Sequence, residues 1–112
     1  MTVGGALNLA SAFDPCQTVI RKSIPSPDSS NSIVVFGREC GATAGFNAQV
    51  SVVPSRSSFS ADKYPAFFVV SGLRVVMARW LEDRAIEITM IPGAEKVSLR
   101  EARVGNIKIE YP

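Results

Sequence analysis

Residues 75–91 read VVMARWLEDRAIEITMI, and this stretch decides the class of fold. Apolar and polar side chains alternate on both sides of Glu82-Asp83-Arg84, the period of a half-buried strand and not of a helix. With those three residues as a loop, residues 75–81 and 85–91 fold back as a hairpin that sets Ala78 opposite Ile88, Arg79 opposite Glu87 and Trp80 opposite Ile86. That register gathers Val76, Ala78, Trp80, Ile86, Ile88 and Met90 on one face and leaves opposite charges paired on the other. A two-residue loop would bring Glu87 against Ala78 and mix the faces. Trp80 is read as a plug of the buried side, in preference to a stacking platform.

Working outward, short β-type runs separated by turn residues continue in both directions. Residues 66–71 (AFFVVS) form a strand stopped by Gly72, and Phe46, Ala48, Val50 and Val52 alternate with Asn47, Gln49 and Ser51. Ile33-Val34-Val35-Phe36 is a β-branched run, and residues 17–24 lead into the dense turn signal of residues 25–31. Residues 41–45 (GATAG) and Pro92-Gly93 are breaks. Residues 55–64 (SRSSFSADKY) read as an exposed, serine-rich loop. Residues 95–102 fit either a short strand or a single helical turn. Residues 106–111 read as a closing strand with Ile107, Ile109 and Tyr111 inward and Lys108 and Glu110 outward. Seven candidate strands with short connections define a mainly β fold of antiparallel sheets, sandwich-like or a rolled meander, with little helix. Residues 16–112 then form one β domain, and no internal repeat is visible.

The composition narrows the chemistry. The chain's 112 residues, 46% hydrophobic and 20% charged, suit one globular domain with one core. Twelve basic against ten acidic residues leave a net charge of +2, too little for a nucleic-acid or anionic-membrane partner. Eight of the twelve are arginines, and Arg21, Arg38, Arg79 and Arg84 fall on or beside strands, where outer-face solvation accounts for them. Histidine is absent, which excludes Ser-His-Asp and Cys-His hydrolases and imidazole-based zinc sites. The two cysteines are not spaced as CxxC, and neither GxxxxGK[ST] nor GxGxxG occurs, so no metal or cofactor is expected. An active site would have to use Asp62, Glu39 or Glu87 beside an arginine, or Cys40 as nucleophile.

Residues 1–15 read as an N-terminal arm or short helix, with a vestigial export signal ending near Ala10-Ser11-Ala12 as the alternative. The uncharged run Met1 to Phe13 is shorter than the ~20 residues that span a bilayer, so no transmembrane segment is expected. Cys16 and Cys40 stand equidistant from residue 28, inside the first turn, which would set them opposite each other across a hairpin. A disulfide there would contribute roughly 3 kcal/mol and imply a periplasmic or extracellular setting. The alternative is a pair of reduced, buried cysteines in a cytoplasmic protein. Arg38, Glu39, Thr43, Asn47 and Gln49 cluster around residues 41–45 as a candidate ligand or partner patch. The plainer account is a glycine-dependent turn whose Thr43 and Asn47 satisfy their own backbone.

Several segments carry a resemblance. Arg38-Glu39-Cys40-Gly41-Ala42-Thr43, Phe46-Asn47 and Gln49-Val50-Ser51 are similar to small bacterial domains of unknown function marked by a Cys-Gly-Ala-Thr signature. In those domains a Ser-Pro-Asp turn precedes it, here Ser26-Pro27-Asp28, and an Arg-Trp-Leu-x-Asp-Arg hairpin follows, here Arg79 to Arg84. Residues 105–111 resemble their closing strand, so the likeness spans about residues 16–111. It implies an exported or lipid-anchored bacterial protein and no assigned activity, although residues 1–15 depart from a standard signal peptide. Products of mobile gene cassettes include short chains of this kind. The resulting expectation is a non-enzymatic bacterial binding or structural module, self-associating as a homodimer through an exposed sheet edge. The alternatives are a small-ligand-binding domain with a pocket between sheets, closed by residues 55–64, and a small enzyme using carboxylates or Cys40.

Overall fold

The computed structural model of the chain describes residues 16–39, 47–71, 76–90 and 97–112. The readings made of residues 1–15, of residues 41–45, and of Cys40, Thr43, Phe46, Gly72 and Pro92-Gly93 lie outside the described residues. The first hairpin joins β1 (Gln17–Pro25) to β2 (Asn31–Glu39). Its turn is held by the Ser26 amide donating to the Asn31 carbonyl at 2.8 Å, with Ser29 in the left-handed region at φ 62°. The β-branched run of β2 is buried on both faces, which forces material onto each side of it. Pairing continues through β3 (Asn47–Pro54), β4 (Phe68–Ser71) and β7 (Val97–Arg100), giving a five-stranded sheet in the order β1-β2-β3-β4-β7. The ambiguous residues 95–102 thus contribute a strand, within which Val97 and Leu99 are half-buried.

A second, four-stranded sheet runs β5 (Val76–Glu82), β6 (Ala85–Met90), β9 (Ile107–Glu110), β8 (Arg103–Val104). Its first pair is the hairpin of β5 and β6, with Ala78 against Ile88, Arg79 against Glu87 and Trp80 against Ile86 as the alternation requires. The loop differs from expectation. Glu82 pairs with Ala85, so the turn is the two residues Asp83 and Arg84, and Leu81 bulges out of the ladder. Neither turn residue has a positive φ, so the turn is not of the primed kind that matches strand twist unaided; the bulge absorbs the mismatch and keeps the faces segregated. The short strand β8 (Arg103–Val104) returns as β9 (Ile107–Glu110) through Gly105-Asn106, with Gly105 at φ 59°. The strand β9 then lies parallel to β6, pairing Ile86 with Ile109, so the second sheet is antiparallel except at this step.

The two sheets face each other across Ile33, Val35, Ala48, Val50, Phe68, Val70, Ile86, Ile88, Ile107 and Ile109, all buried. The result is a small β-sandwich with no helix among the described residues, hence none long and apolar enough to cross a membrane. A second cluster, Val34, Phe36 and Val53, lies on the far face of the five-stranded sheet beneath Phe59, Ala61, Tyr64 and Ala66. Residues 55–64 are therefore not a free loop and do not close the space between the sheets. They cover the outer face, where the Phe59 ring meets Phe36 at 4.8 Å between centroids. Four strands form the sheet edges. Three of them each hold one residue outside the ladder, Arg21 in β1, Leu81 in β5 and Ser98 in β7, and the fourth, β8, has two residues.

Candidate functional site

The β7 bulge at Ser98 shapes an apolar hollow between the sheets. In an unbroken strand Val97 and Leu99 would share a face and Arg100 would point the other way. With Ser98 outside the ladder, Val97 pairs with Val70 and Arg100 with Phe68, so Val97 and Arg100 share the inner face. Together with Ile88, Met90 and Tyr111 they line an open cavity of about 270 Å³ between the sheets, bordered also by Phe68, Thr89 and Pro112. This is roughly nine waters' worth of liquid volume, at the small end of ligand pockets.

Polar groups in the cavity are few and fixed. The Arg100 guanidinium stacks on the Tyr111 ring, Cζ to centroid 4.4 Å, and the Tyr111 ring lies 5.8 Å from Phe68. The Tyr111 hydroxyl donates to the Glu101 carbonyl at 2.7 Å, which fixes the ring that carries the arginine. Burial pushes the Tyr111 phenol above its ordinary value, against the opposing pull of Arg100, so it is a neutral donor at physiological pH. Arg100 makes no ion pair and no side-chain hydrogen bond among the described residues. Among the described residues it is a positive charge without a negative partner, at the rim of an apolar hollow.

The patch read from the sequence divides differently. Asn47 sits opposite Arg38 where the β2–β3 ladder stops. Its Oδ1 accepts from the Arg38 amide at 3.0 Å, and its Nδ2 donates to the Arg38 carbonyl at 2.8 Å. The side-chain amide replaces the next pair of ladder bonds, so Asn47 satisfies a neighbour's backbone and not its own. Gln49 donates to the same Oδ1 at 3.1 Å, and the Arg38 guanidinium donates to Thr18 Oγ1 at 3.1 Å. Glu39 faces the other way, 3.7 Å from Arg21. The Arg21 guanidinium lies over Gly37, where an added Cβ would meet it at 2.6 Å, and it donates to the Asn47 carbonyl at 3.3 Å. Arg38, Asn47 and Gln49 thus form one structural cluster, Glu39 belongs to another, and Thr43 and Cys40 fall outside the described residues.

The acidic candidates do not converge. Glu87 accepts from Arg79 at 2.8 Å on the outer face of the four-stranded sheet, and Glu39 is held by Arg21. Asp62 lines an open hollow of about 400 Å³ with Arg38, Ile20 and Phe59 on the far side of the other sheet, and of the three carboxylates it alone shares a hollow with an arginine. Among the described residues no three His, Cys, Asp or Glu side chains gather. Of the four arginines assigned to solvated outer faces, Arg21, Arg79 and Arg84 each hold a carboxylate, and Arg38 holds Thr18.

Ser26-Pro27-Asp28 and Asp83-Arg84 come together at one end of the sandwich. Asp28 accepts from the Ser26 and Ser30 hydroxyls at 2.7 Å each and from the Ser30 amide at 3.1 Å, and Arg84 donates to its Oδ2 at 3.2 Å. The Asp28 amide donates to Asp83 Oδ1 at 3.0 Å. These hydrogen bonds, the serine hydroxyls first, hold the Asp28 carboxyl well below its usual range. Half-buried Trp80 adds Nε1–H to the Ile24 carbonyl at 2.9 Å, so it is core and clasp together. This junction fastens the first turn to the β5–β6 hairpin and presents no cavity.

Fold and cavity together define a small β-sandwich with one apolar, arginine-rimmed hollow between its sheets. Compared with protein-family models, with curated proteins and with solved structures, the chain matches none.

Proposed function

We propose that the chain is a non-enzymatic, small-ligand-binding domain whose ligand sits between the sheets against Phe68, Ile88, Met90 and Tyr111. The observation that carries this reading is the inter-sheet hollow of about 270 Å³, with an apolar lining and very few polar groups. Glu39 and Glu87 are each spent on an arginine away from the hollow that Asp62 shares with Arg38, so no pair of carboxylates is brought together for acid–base work. Self-association through a sheet edge is the less favoured reading, because bulges at Arg21, Leu81 and Ser98 and the shortness of β8 are devices that keep edges from pairing. The exposed strand β1 also carries Arg21 and Lys22 and no acid, so a second copy laid antiparallel on it about its middle would oppose like charges. Titration of isotope-labelled protein with hexan-1-ol, followed by amide NMR, tests the pocket. Saturable shifts confined to Phe68, Ile88, Met90, Val97 and Tyr111 are expected. Shifts that do not saturate, or that scatter over the surface, would remove the reading.

An exported bacterial setting, as the resemblance implies, goes with a Cys16–Cys40 disulfide. Two features support the bridge. No cysteine is free among the described residues. The β1–β2 register pairs Gln17 with Glu39, the neighbours of the two cysteines in the chain, because the bulge at Arg21 shifts the ladder by one residue. Counting free thiols on protein purified without reductant, before and after denaturation, separates the cases. Zero in both is expected, and two thiols released on denaturation would instead point to a reducing compartment.

A further inference from the structure

Arg100 lines the inter-sheet hollow and is placed differently from the ion-paired arginines. Arg21, Arg79 and Arg84 each lie against a carboxylate. Arg100 is turned inward by the Ser98 bulge and lies over an aromatic ring, Cζ 4.4 Å from its centroid, and its N–H donors are unspent among the described residues. A guanidinium carries its donors in its own plane as a fork, the geometry that takes both oxygens of a carboxylate. Stacking on a ring that is itself tied to Glu101 removes much of the rotamer freedom that such a contact would otherwise cost.

We propose that the pocket selects small amphipathic monoanions: a carboxylate head on Arg100 at the rim, and a short aliphatic or aromatic body between Phe68, Ile88 and Met90. This rests on the small-ligand reading above and adds the chemistry of the ligand. Three features set the class. The cavity volume limits the body to about the size of hexanoate or phenylacetate. The apolar lining gives a fully polar anion nothing to gain by entering. A cation unpaired among the described residues, with the Glu101 charge close enough to be felt at Tyr111, favours a single negative charge over two. The head stays at the solvent edge, so no ion is buried without a partner.

The test compares hexanoate with hexan-1-ol and hexylamine on the wild type and on Arg100→Gln, by amide NMR titration at neutral pH. Hexanoate is expected to bind about tenfold or more tightly than hexan-1-ol, with hexylamine weaker than both. In Arg100→Gln the preference for hexanoate over hexan-1-ol is expected to vanish, with amide shifts away from the pocket matching the wild type to show that the variant is folded. Arg100→Lys, which keeps the charge and loses the fork, should retain only part of the preference. Equal binding of hexanoate and hexan-1-ol to the wild type, or a preference that survives Arg100→Gln, would overturn the carboxylate assignment and leave the pocket standing. Failure of all three probes to bind the wild type would overturn both.

Discussion

Ser51 lies under the outer cover, fully buried, and its Oγ has no hydrogen-bond partner among the described residues. A buried hydroxyl left unpaired costs more than an apolar group of its size. Ser51→Ala is therefore expected to stabilise the protein by about 1 kcal/mol, read as a raised urea midpoint with unchanged slope. A lower midpoint would mean that the hydroxyl is bonded. Asp28 is the opposite case, a carboxylate with several donors. Its folded pKa lies below the ordinary 3.8, so its contribution is complete above that value and is lost as pH falls beneath it. The stability gap between wild type and Asp28→Asn should be widest at about pH 5 and shrink toward about pH 2.5, as urea titrations at successive pH values would show. A gap that stays constant would assign the acid sensitivity elsewhere. The pairing of Arg79 with Glu87 was legible from alternation alone, because cross-strand neighbours are local. The partnership of Asp28 with Arg84 was not, because it joins residues whose nearness depends on how the two sheets stack.

At the scale of elements, the alternation of residues 75–91 carried the hairpin register, since any other pairing would expose half of its apolar residues. The bulge at Leu81 left no trace in that pattern. Residues 55–64 misled for a compositional reason: four serines hide three irregularly spaced apolar anchors, Phe59, Ala61 and Tyr64, which show no strand or helix period. The signal that could have warned of a cover was on β2, where Val34 and Phe36 face away from Ile33 and Val35 and need something above them. Phe59→Ala, which uncovers the Phe36 ring, is expected to cost about 2 kcal/mol by urea unfolding. A negligible cost would return the segment to the status of a free loop. The β8–β9 hairpin went unread, with Asn106 counted into the closing strand, although a glycine that can take positive φ, followed by Asn and flanked by Val104 and Ile107, is a hairpin signature.

For the molecule as a whole, the fold class was legible and the candidate site was not. Strand count and alternation are properties of short windows, whereas the pocket draws on β4, β6, β7 and the segment after β9. One of its central groups, Arg100, reaches the inner face only through a ladder irregularity that no periodicity reveals. With every edge interrupted or brief, the protein is expected to sediment as a monomer, and a concentration-dependent dimer would restore the edge-pairing reading. The irregularity in β1 bears on how this strand tolerates changes of length. Ile20 pairs with Phe36 and Lys22 with Val35, so removing Arg21 would leave every other partner where it is, and each face would keep its own residues. A deletion at Val19 or Ser23 would instead turn part of the strand over. Position 21 is thus a joint at which the chain can shorten without losing its fold, and what would go with it is the kink that makes the outermost strand a poor template for a neighbour.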